Sequence, residues 1–406
     1  MAADDGFEVV RLGARGDGIA AAAEGVCYLP FALPGERVRV EGAGLPQLLS
    51  APSPERRAPR CRHFGVCGGC VAQHMAERLY ADWKRGIVVD AMQKRGLHAE
   101  VAPLRPIAAA SRRRAVMTGR CAAGGTLLGY HPRDSDATFE VEECPVLVPQ
   151  IVACLPALRE IVAATAQRQV RLTVLATPTG LDVAVAASRS LDAPLAMRLA
   201  QIAAAEPRLA RVSLGGETIS QRAPPRLSFA GVEVCPPPGA FVQAVAEAES
   251  AIAAEVAAAT AKARRTADLY CGVGTLTFHL ARGAAVAAYD SDAAALKALR
   301  AGARHAKGLK PIEAKVRDLM REPLSARELD GFDAVVFDPP RAGAMAQASA
   351  LARSRVPIIV AVSCYPGTLA RDLRILIDGG YQLQRVVPID QFLFSSHVEA
   401  VAYLSR

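Results

Sequence analysis

The strongest constraint on this chain is a rhythm that begins at Pro236. From there, short apolar segments alternate with segments of helical length. The pattern predicts a helix over about 240–263, a strand over 266–270, a glycine turn and a helix. Next come a strand over 285–289, a helix from about 292 and a strand over 312–316. A strand over 332–337, a helix near 345–353, a strand over 357–362 and a helix near 367–378 complete it. Alternation at this spacing implies an α/β fold, a Rossmann-like parallel-type sheet covered by helices. Ligands of such sheets bind beyond the carboxyl ends of the strands. The chemically notable residues fall there: Asp268 to Gly274, Asp290, Asp318, Asp338 and Cys364.

Asp268-Leu-Tyr270-Cys-Gly272-Val-Gly274-Thr275 follows a predicted strand and opens a helix. Its glycines let backbone approach a ligand, although Thr277 stands where the full dinucleotide fingerprint has Gly or Ala. Asp290, ending the next strand, suits the two hydroxyls of a ribose; capping the helix before Ala293 is the plainer role. With no phosphate-binding Lys-Ser or Lys-Thr motif, an adenosyl ligand without phosphates fits better than ATP. In Asp338-Pro-Pro-Arg341 two prolines stiffen the loop, so the carboxylate can read hydrogen-bond donors on a base; a surface turn is the alternative. Ser363-Cys364-Tyr365-Pro366 sets a thiol at the same edge, just before a helix whose N-terminus is expected to favour thiolate.

The N-terminal half reads differently. Residues 6–48 carry short strands punctuated by Gly13, Gly16, Gly18, Gly25, Pro34 and Gly35, which fits a small OB-type β-barrel. A linker with Pro46, Pro52, Pro54 and Pro59 follows, then a helix over 80–95. Residues 112–235 read as α+β, with paired strands over 171–176 and 181–187 and helices over 149–168 and 191–205. Cys61, Cys67 and Cys70, with Cys144 as a fourth member, form a second constellation. Four thiolates suit zinc or an iron–sulfur cluster, and a Cys-x-x-Cys redox pair is the further option. Cys27, Cys121, Cys154, Cys235 and Cys271 read as ordinary core or turn residues.

Lys and Arg exceed Asp and Glu by eight, 48 against 40, and the excess is clustered. Arg56, Arg57, Arg60, Arg62 and His63 form one run, Lys84, Arg85, Lys94 and Arg95 another, and Arg105, Arg112, Arg113, Arg114 and Arg120 a third. Three such runs close together favour phosphate contacts. The N-terminus lacks the pattern of a signal peptide, and no apolar run approaches the ~20 residues of a membrane span. A cytoplasmic location without membrane association is expected, where ten cysteines do not form a disulfide framework.

Five stretches together resemble the RNA uracil-5-methyltransferase family, whose members act on 23S rRNA or the tRNA T-loop. They are Phe241-Val-Gln243, Asp268 to Thr275, Asp338-Pro-Pro-Arg341-Ala-Gly343, Ser363-Cys364-Tyr-Pro366-Gly-Thr368-Leu-Ala-Arg371-Asp372 and Asp390-Gln-Phe-Leu-Phe-Ser-Ser-His397-Val-Glu399. The resemblance implies Cys364 as nucleophile and Glu399 as general base. It places Gln243, Tyr270, Gly272, Gly274, Thr275, Asp290 and Asp318 around S-adenosylmethionine, and Asp338 between cofactor and uracil. It also implies a four-iron, four-sulfur cluster, with zinc the lesser option, on Cys61, Cys67, Cys70 and Cys144. Residues 6–45, with Leu33-Pro-Gly-Glu36, resemble the TRAM domain, shortened after Val40. The expected domains are thus 1–48, 49–235 and 236–406, in a monomer.

Barrel and cluster together point to 23S rRNA as partner, with tRNA second. Tyr365, Leu393 and Ser395 depart from the commoner Asn, Pro and Thr, which bears on the shape of the pocket. The chemistry accounts for the residue types. Carbon 5 of uracil is a poor nucleophile until a thiolate adds at carbon 6; a carboxylate then removes the carbon 5 proton. The base must be flipped out of its stack first. A non-catalytic RNA-binding assembly factor is disfavoured by Cys364 with Glu399. Adenine N6-methylation is disfavoured by Arg341 after Pro-Pro and by the thiol.

Overall fold

The computed structural model describes residues 6–22, 25–39, 46–122, 125–186 and 192–406. Three sheets of five to seven strands organise the chain. Residues 40–45, in the segment read as shortened, lie outside the described residues.

The C-terminal sheet runs, in spatial order, Ile312–Val316, Ala285–Asp290, Arg265–Leu269, Ala334–Phe337, Ile358–Ser363, Glu399–Ser405 and Gln382–Ile389. The first five strands are parallel. The last two are antiparallel to their neighbours, so the sheet is mixed rather than parallel throughout. Arg265–Leu269 and Ala334–Phe337 are parallel neighbours at which the order of successive strands turns from one edge of the sheet to the other, and a crevice opens at their carboxyl ends. Val335, Val336, Val360, Ala361 and Val362 are fully buried, as both faces of a helix-covered sheet require. Helices Ala293–His305, Met345–Ala352 and Pro366–Asp378 fall close to the expected positions, whereas the helix expected over about 240–263 is confined to Ala246–Ala259. Asp292 caps the helix at 293 by accepting from the Ala294 and Ala295 amides. Asp290 is therefore not that cap.

The central sheet has seven strands, all antiparallel except for the pairing of Gly180–Ala186 with Leu209–Leu214. Three helices pack on it, Pro149–Ala153, Leu155–Thr165 and Ala193–Ala205. The single helix expected over 149–168 is interrupted at Cys154, ahead of Pro156 at the start of the second piece. The N-terminal sheet has five antiparallel strands, with Phe7–Leu12 central and bulged between Val9 and Arg11. Its last strand, Gln47–Leu48, lies at the end of the stretch 6–48 read as short strands.

Residues 77–107 pack with the C-terminal sheet rather than with the central one. Val88, Met92, Leu97 and Val101 join its buried core. The segment from Glu100 to Arg105 hydrogen-bonds along Gln382–Ile389, covering the sheet edge. Among the described residues no helix is long and apolar enough to cross a membrane.

Each of the three basic runs gives one cation to a buried carboxylate. Lys84 is fully buried against Asp390 at 2.9 Å. Arg56 is held by Glu36, and Arg113 by Glu249 at 2.6 Å. The expectation that these runs contact phosphate is corrected for those residues, because buried carboxylates already neutralise them.

Candidate active site

A cavity opens at the switch point. It is lined by Phe241, Gln243, Asp268, Tyr270, Gly272, Thr275, Leu276 and Asp338, among others. The turn after the first strand builds its floor. Tyr270 takes a left-handed φ of 62°, costly for a side chain with a Cβ, and Gly272 follows at 54°. A Cβ on Gly272 would meet nothing within 4 Å, so its bare backbone faces open space. Gly274 has another task. At φ 96° a Cβ there would lie 2.7 Å from Phe278 and 2.9 Å from Leu299, so this glycine seats the following helix.

Asp290 fixes the turn: its carboxylate accepts from the Gly272 amide and the Asp292 amide, each at 2.8 Å. Lone pairs remain on both oxygens for a ligand. Asp318 accepts from the Met320 and Arg321 amides beside the third strand. Gly274, Asp290 and Asp318 do not themselves line the cavity. Asp268 is buried and accepts from the Thr277 hydroxyl; burial pushes it up to about 7.

On the far side, one chain of hydrogen bonds joins three segments. Gln243 donates through Nε2 to Asp338 at 2.8 Å, and Gln391 donates to Gln243 Oε1 at 2.7 Å and to Glu399 Oε2 at 2.8 Å. Gln391 was not singled out from sequence, although it lies within the final matching stretch; only this geometry gives it a task. Gln391 Oε1 and Glu399 Oε1 are buried and lack a hydrogen-bond partner among the described residues. Unsatisfied buried acceptors are costly, so both are poised for a donor. Burial raises Asp338 to about 7; burial and then Asp338 hold Glu399 well above the ordinary carboxylate range.

Cys364 ends the fifth strand, partly buried, in the field of Glu399 and Asp338. The helix beginning at Pro366 does not make it a ready thiolate. Burial, then the Glu399 and Asp338 carboxylates, push its thiol up to about 11, against the lowering effect of Arg341. Cys364, Glu399, Asp338 and Gln243 are thus gathered at one crevice, with the cavity beside them.

A second cavity is lined by Cys61, Cys67, Cys70 and Cys144, with Phe64, Tyr130, Phe139 and Val141. Gly68 seats the Cys-Gly-Gly-Cys turn: its amide donates to His131 O at 3.0 Å, and a Cβ there would lie 2.9 Å from the same oxygen. Burial raises the thiols of Cys61, Cys67 and Cys70, Cys70 to about 12, and the neighbouring sulfurs add to it. Among the described residues no three His, Cys, Asp or Glu donors converge as ligands of one ion. Cys154 and Cys271 are buried, and Cys27 and Cys121 are partly buried. Cys235 is exposed.

The family model for tRNA (uracil-5-)-methyltransferase matches residues 237–406. The chain is 48% identical to a Brucella suis protein described as an uncharacterized RNA methyltransferase, over 97% of this chain and 96% of that protein. It is 33% identical to the 23S rRNA (uracil(1939)-C(5))-methyltransferase of Chromohalobacter salexigens, over 99% of this chain and 89% of the relative. In fold it resembles the crystal structure of Pyrococcus abyssi tRNA (uracil-54, C5)-methyltransferase in complex with S-adenosyl-L-homocysteine. That match has a TM-score of 0.74 at 23% identity and covers 98% of this chain and 100% of that one.

Proposed function

This chain belongs to the RNA (uracil-5-)-methyltransferase family, and on that footing we propose that it methylates carbon 5 of a uridine in 23S rRNA, with S-adenosylmethionine as donor. The observation that carries the reading is the convergence of one thiol, Cys364, and one carboxylate with an unpartnered oxygen, Glu399, beside the cavity at the switch point. The 23S rRNA methyltransferase matched along nearly the whole chain supports the choice of RNA. We place the enzyme in the cytoplasm.

The cavity suits an adenosyl ligand: Gly272 offers bare backbone and Tyr270 and Leu276 supply apolar walls, while Asp290, outside the lining and bonded to the Gly272 amide, keeps lone pairs for ribose hydroxyls. When bound, S-adenosylmethionine supplies an electrophilic methyl group. Cys364 as thiolate forms a bond to carbon 6 of the flipped uracil, and the displaced π electrons pass through carbon 5 to oxygen 4. Carbon 5, now nucleophilic, would take the methyl group as the methyl–sulfur bond breaks and its electron pair stays on sulfur, leaving S-adenosylhomocysteine. Glu399 then accepts the carbon 5 proton; the electrons left behind restore the ring double bond and expel the thiolate. Gln391, donating to Glu399 Oε2, leaves Oε1 as the free acceptor for that proton. Asp338, held by Gln243, faces the uracil edge.

We assign the four-thiol cavity to a four-iron, four-sulfur cluster with a structural role. A lone zinc needs four donors at about 2.0–2.3 Å from one point, whereas a cluster takes one thiolate at each corner and suits sulfurs that share an apolar cavity without converging. Anaerobically purified protein should be brown and carry about four irons per chain. Stoichiometric zinc without iron or sulfide would overturn the assignment. Cys67→Ser should lower iron content and stability together.

The test of function is labelled methyl transfer. Protein, S-adenosylmethionine with a labelled methyl group, and either unmodified 23S rRNA or unmodified tRNA are incubated, and the RNA is digested to nucleosides. Label is expected in 5-methyluridine from 23S rRNA. Label confined to tRNA would overturn the choice of RNA, and label in N6-methyladenosine would overturn the chemistry.

A further inference from the structure

Five side chains form a continuous ladder leading away from the nucleophile. Tyr365, next to Cys364, is 44% exposed. Its ring lies against Gly367, where a Cβ would sit 3.0 Å from Tyr365 Cε1; glycine leaves the room. The Arg341 guanidinium stands over that ring, 5.6 Å from its centroid. Arg341 also reaches His397, 3.3 Å from Nδ1. His397 meets Phe392 edge to face with centroids 5.9 Å apart, and Arg112 from the central region stands 5.9 Å from the Phe392 centroid. Burial and the cations Arg341, Lys84 and Arg112 push His397 down to about 4, so it is neutral and can accept from Arg341. Among the described residues neither Arg341 nor Arg112 is ion-paired; their partners are rings, the histidine and a backbone carbonyl.

Aromatic faces interleaved with unneutralised guanidinium groups match single-stranded nucleic acid: rings stack on bases of any sequence, while arginines meet phosphates. Enzymes that do chemistry on a base take it from a single strand or flip it out of a helix, and a single-stranded substrate leaves the bases beside the target free to stack on protein rings. We propose that this ladder is the track for the single-stranded RNA flanking the target uridine, with Tyr365 as the stacking platform for a nucleotide beside it. The proposal rests on the reading of the chain as an RNA methyltransferase and adds how that RNA is held.

The test uses a short single-stranded RNA spanning the uridine of 23S rRNA methylated in the assay above, or spanning the uridine at the position matching that of the Chromohalobacter relative if none is methylated. In one set of probes each flanking nucleotide in turn is replaced by an abasic unit. Binding is read by fluorescence anisotropy with S-adenosylhomocysteine present, and single-turnover methylation at saturating RNA. Tyr365→Ala should weaken binding on the order of tenfold, within the range for one stacked base, and Tyr365→Trp should restore it. The rate at saturation should change by less than about threefold, because stacking of a flanking base adds binding that ground and transition states share. One abasic position should cost wild type the same factor and cost Tyr365→Ala nothing further. Unchanged binding by Tyr365→Ala, or equal abasic penalties in both proteins, would overturn the proposal. Wild type that binds but transfers no methyl group would instead overturn the function proposed above, since the ladder is judged on binding alone.

Discussion

Cys364→Ala should abolish methyl transfer, with a loss on the order of 10⁴–10⁶-fold as for removal of other covalent nucleophiles, and should form no adduct with RNA. Glu399→Gln should fail differently. Attack and methylation precede proton removal, so this variant should stall with Cys364 still bonded to carbon 6 of a methylated ring. A protein–RNA adduct carrying the transferred methyl should accumulate and survive denaturing gels. The electrostatics sharpen the contrast. Glu399 is one of the two carboxylates that raise the Cys364 thiol to about 11. Removing its charge favours thiolate, so at pH 8 the adduct should form at least as fast as in wild type. For the same reason wild-type kcat/KM should climb with pH from 7 to 9, because both the thiol and the raised Glu399 must lose a proton. RNA with 5-fluorouridine at the target should trap wild type, fluorine being unable to leave as a proton does. Near-normal turnover by Cys364→Ala, or active enzyme that never cross-links to the fluorinated RNA, would refute covalent catalysis.

What could be read before the structure was whatever announces itself locally. A glycine turn after an apolar run, a carboxylate before two prolines and a thiol before a helix each mark a strand end, and five such strands were placed within a few residues. The two antiparallel strands escaped. Gln382–Ile389 begins with exposed or half-exposed residues and contains Pro388, so its buried run is confined to its second half and is interrupted in sequence by a proline. Glu399–Ser405 adjoins a candidate site residue, which drew attention to chemistry rather than to pairing. Gln391 carries no local mark of its hydrogen bonds to Gln243 and Glu399, since those partners are set by the fold. The field on Cys364 was misjudged for a related reason: the adjacent helix is visible in sequence, whereas the two carboxylates that outweigh it arrive from distant strands.

Lys84 shows the same gap most sharply, and its removal carries the second large expected effect. In sequence it belongs to a basic run beside Arg85, Lys94 and Arg95, which reads as a solvated or phosphate-facing surface. In the fold its ammonium is fully buried, 2.9 Å from Asp390, and donates to the Phe392 and His397 carbonyls. Tyr80, one turn earlier on helix Glu77–Gln93, donates its hydroxyl to Asp390 and accepts from the Phe394 amide. These contacts pin the loop from Asp390 to Val398 that delivers Gln391, His397 and Glu399, and Phe394 within it holds a left-handed φ of 61°. Burial pushes Lys84 down and Asp390 up, each held back by the other. The pair is therefore tolerable only intact. Lys84→Met should leave Asp390 as an uncompensated buried charge and cost about 3–5 kcal/mol. Adding Asp390→Asn should recover a large part of that, because the second change removes the orphaned charge and keeps an acceptor for Tyr80. Trp83, the single tryptophan, sits beside Lys84 on the same helix and donates to Gly13 O at 2.8 Å, so its fluorescence reports the docking directly during denaturant unfolding. Even where Lys84→Met remains folded it should lose methylation while keeping S-adenosylmethionine binding, since the cavity residues lie on other segments. An unfolding midpoint equal to wild type, or no recovery in the double variant, would mean that the buried pair does not hold the loop.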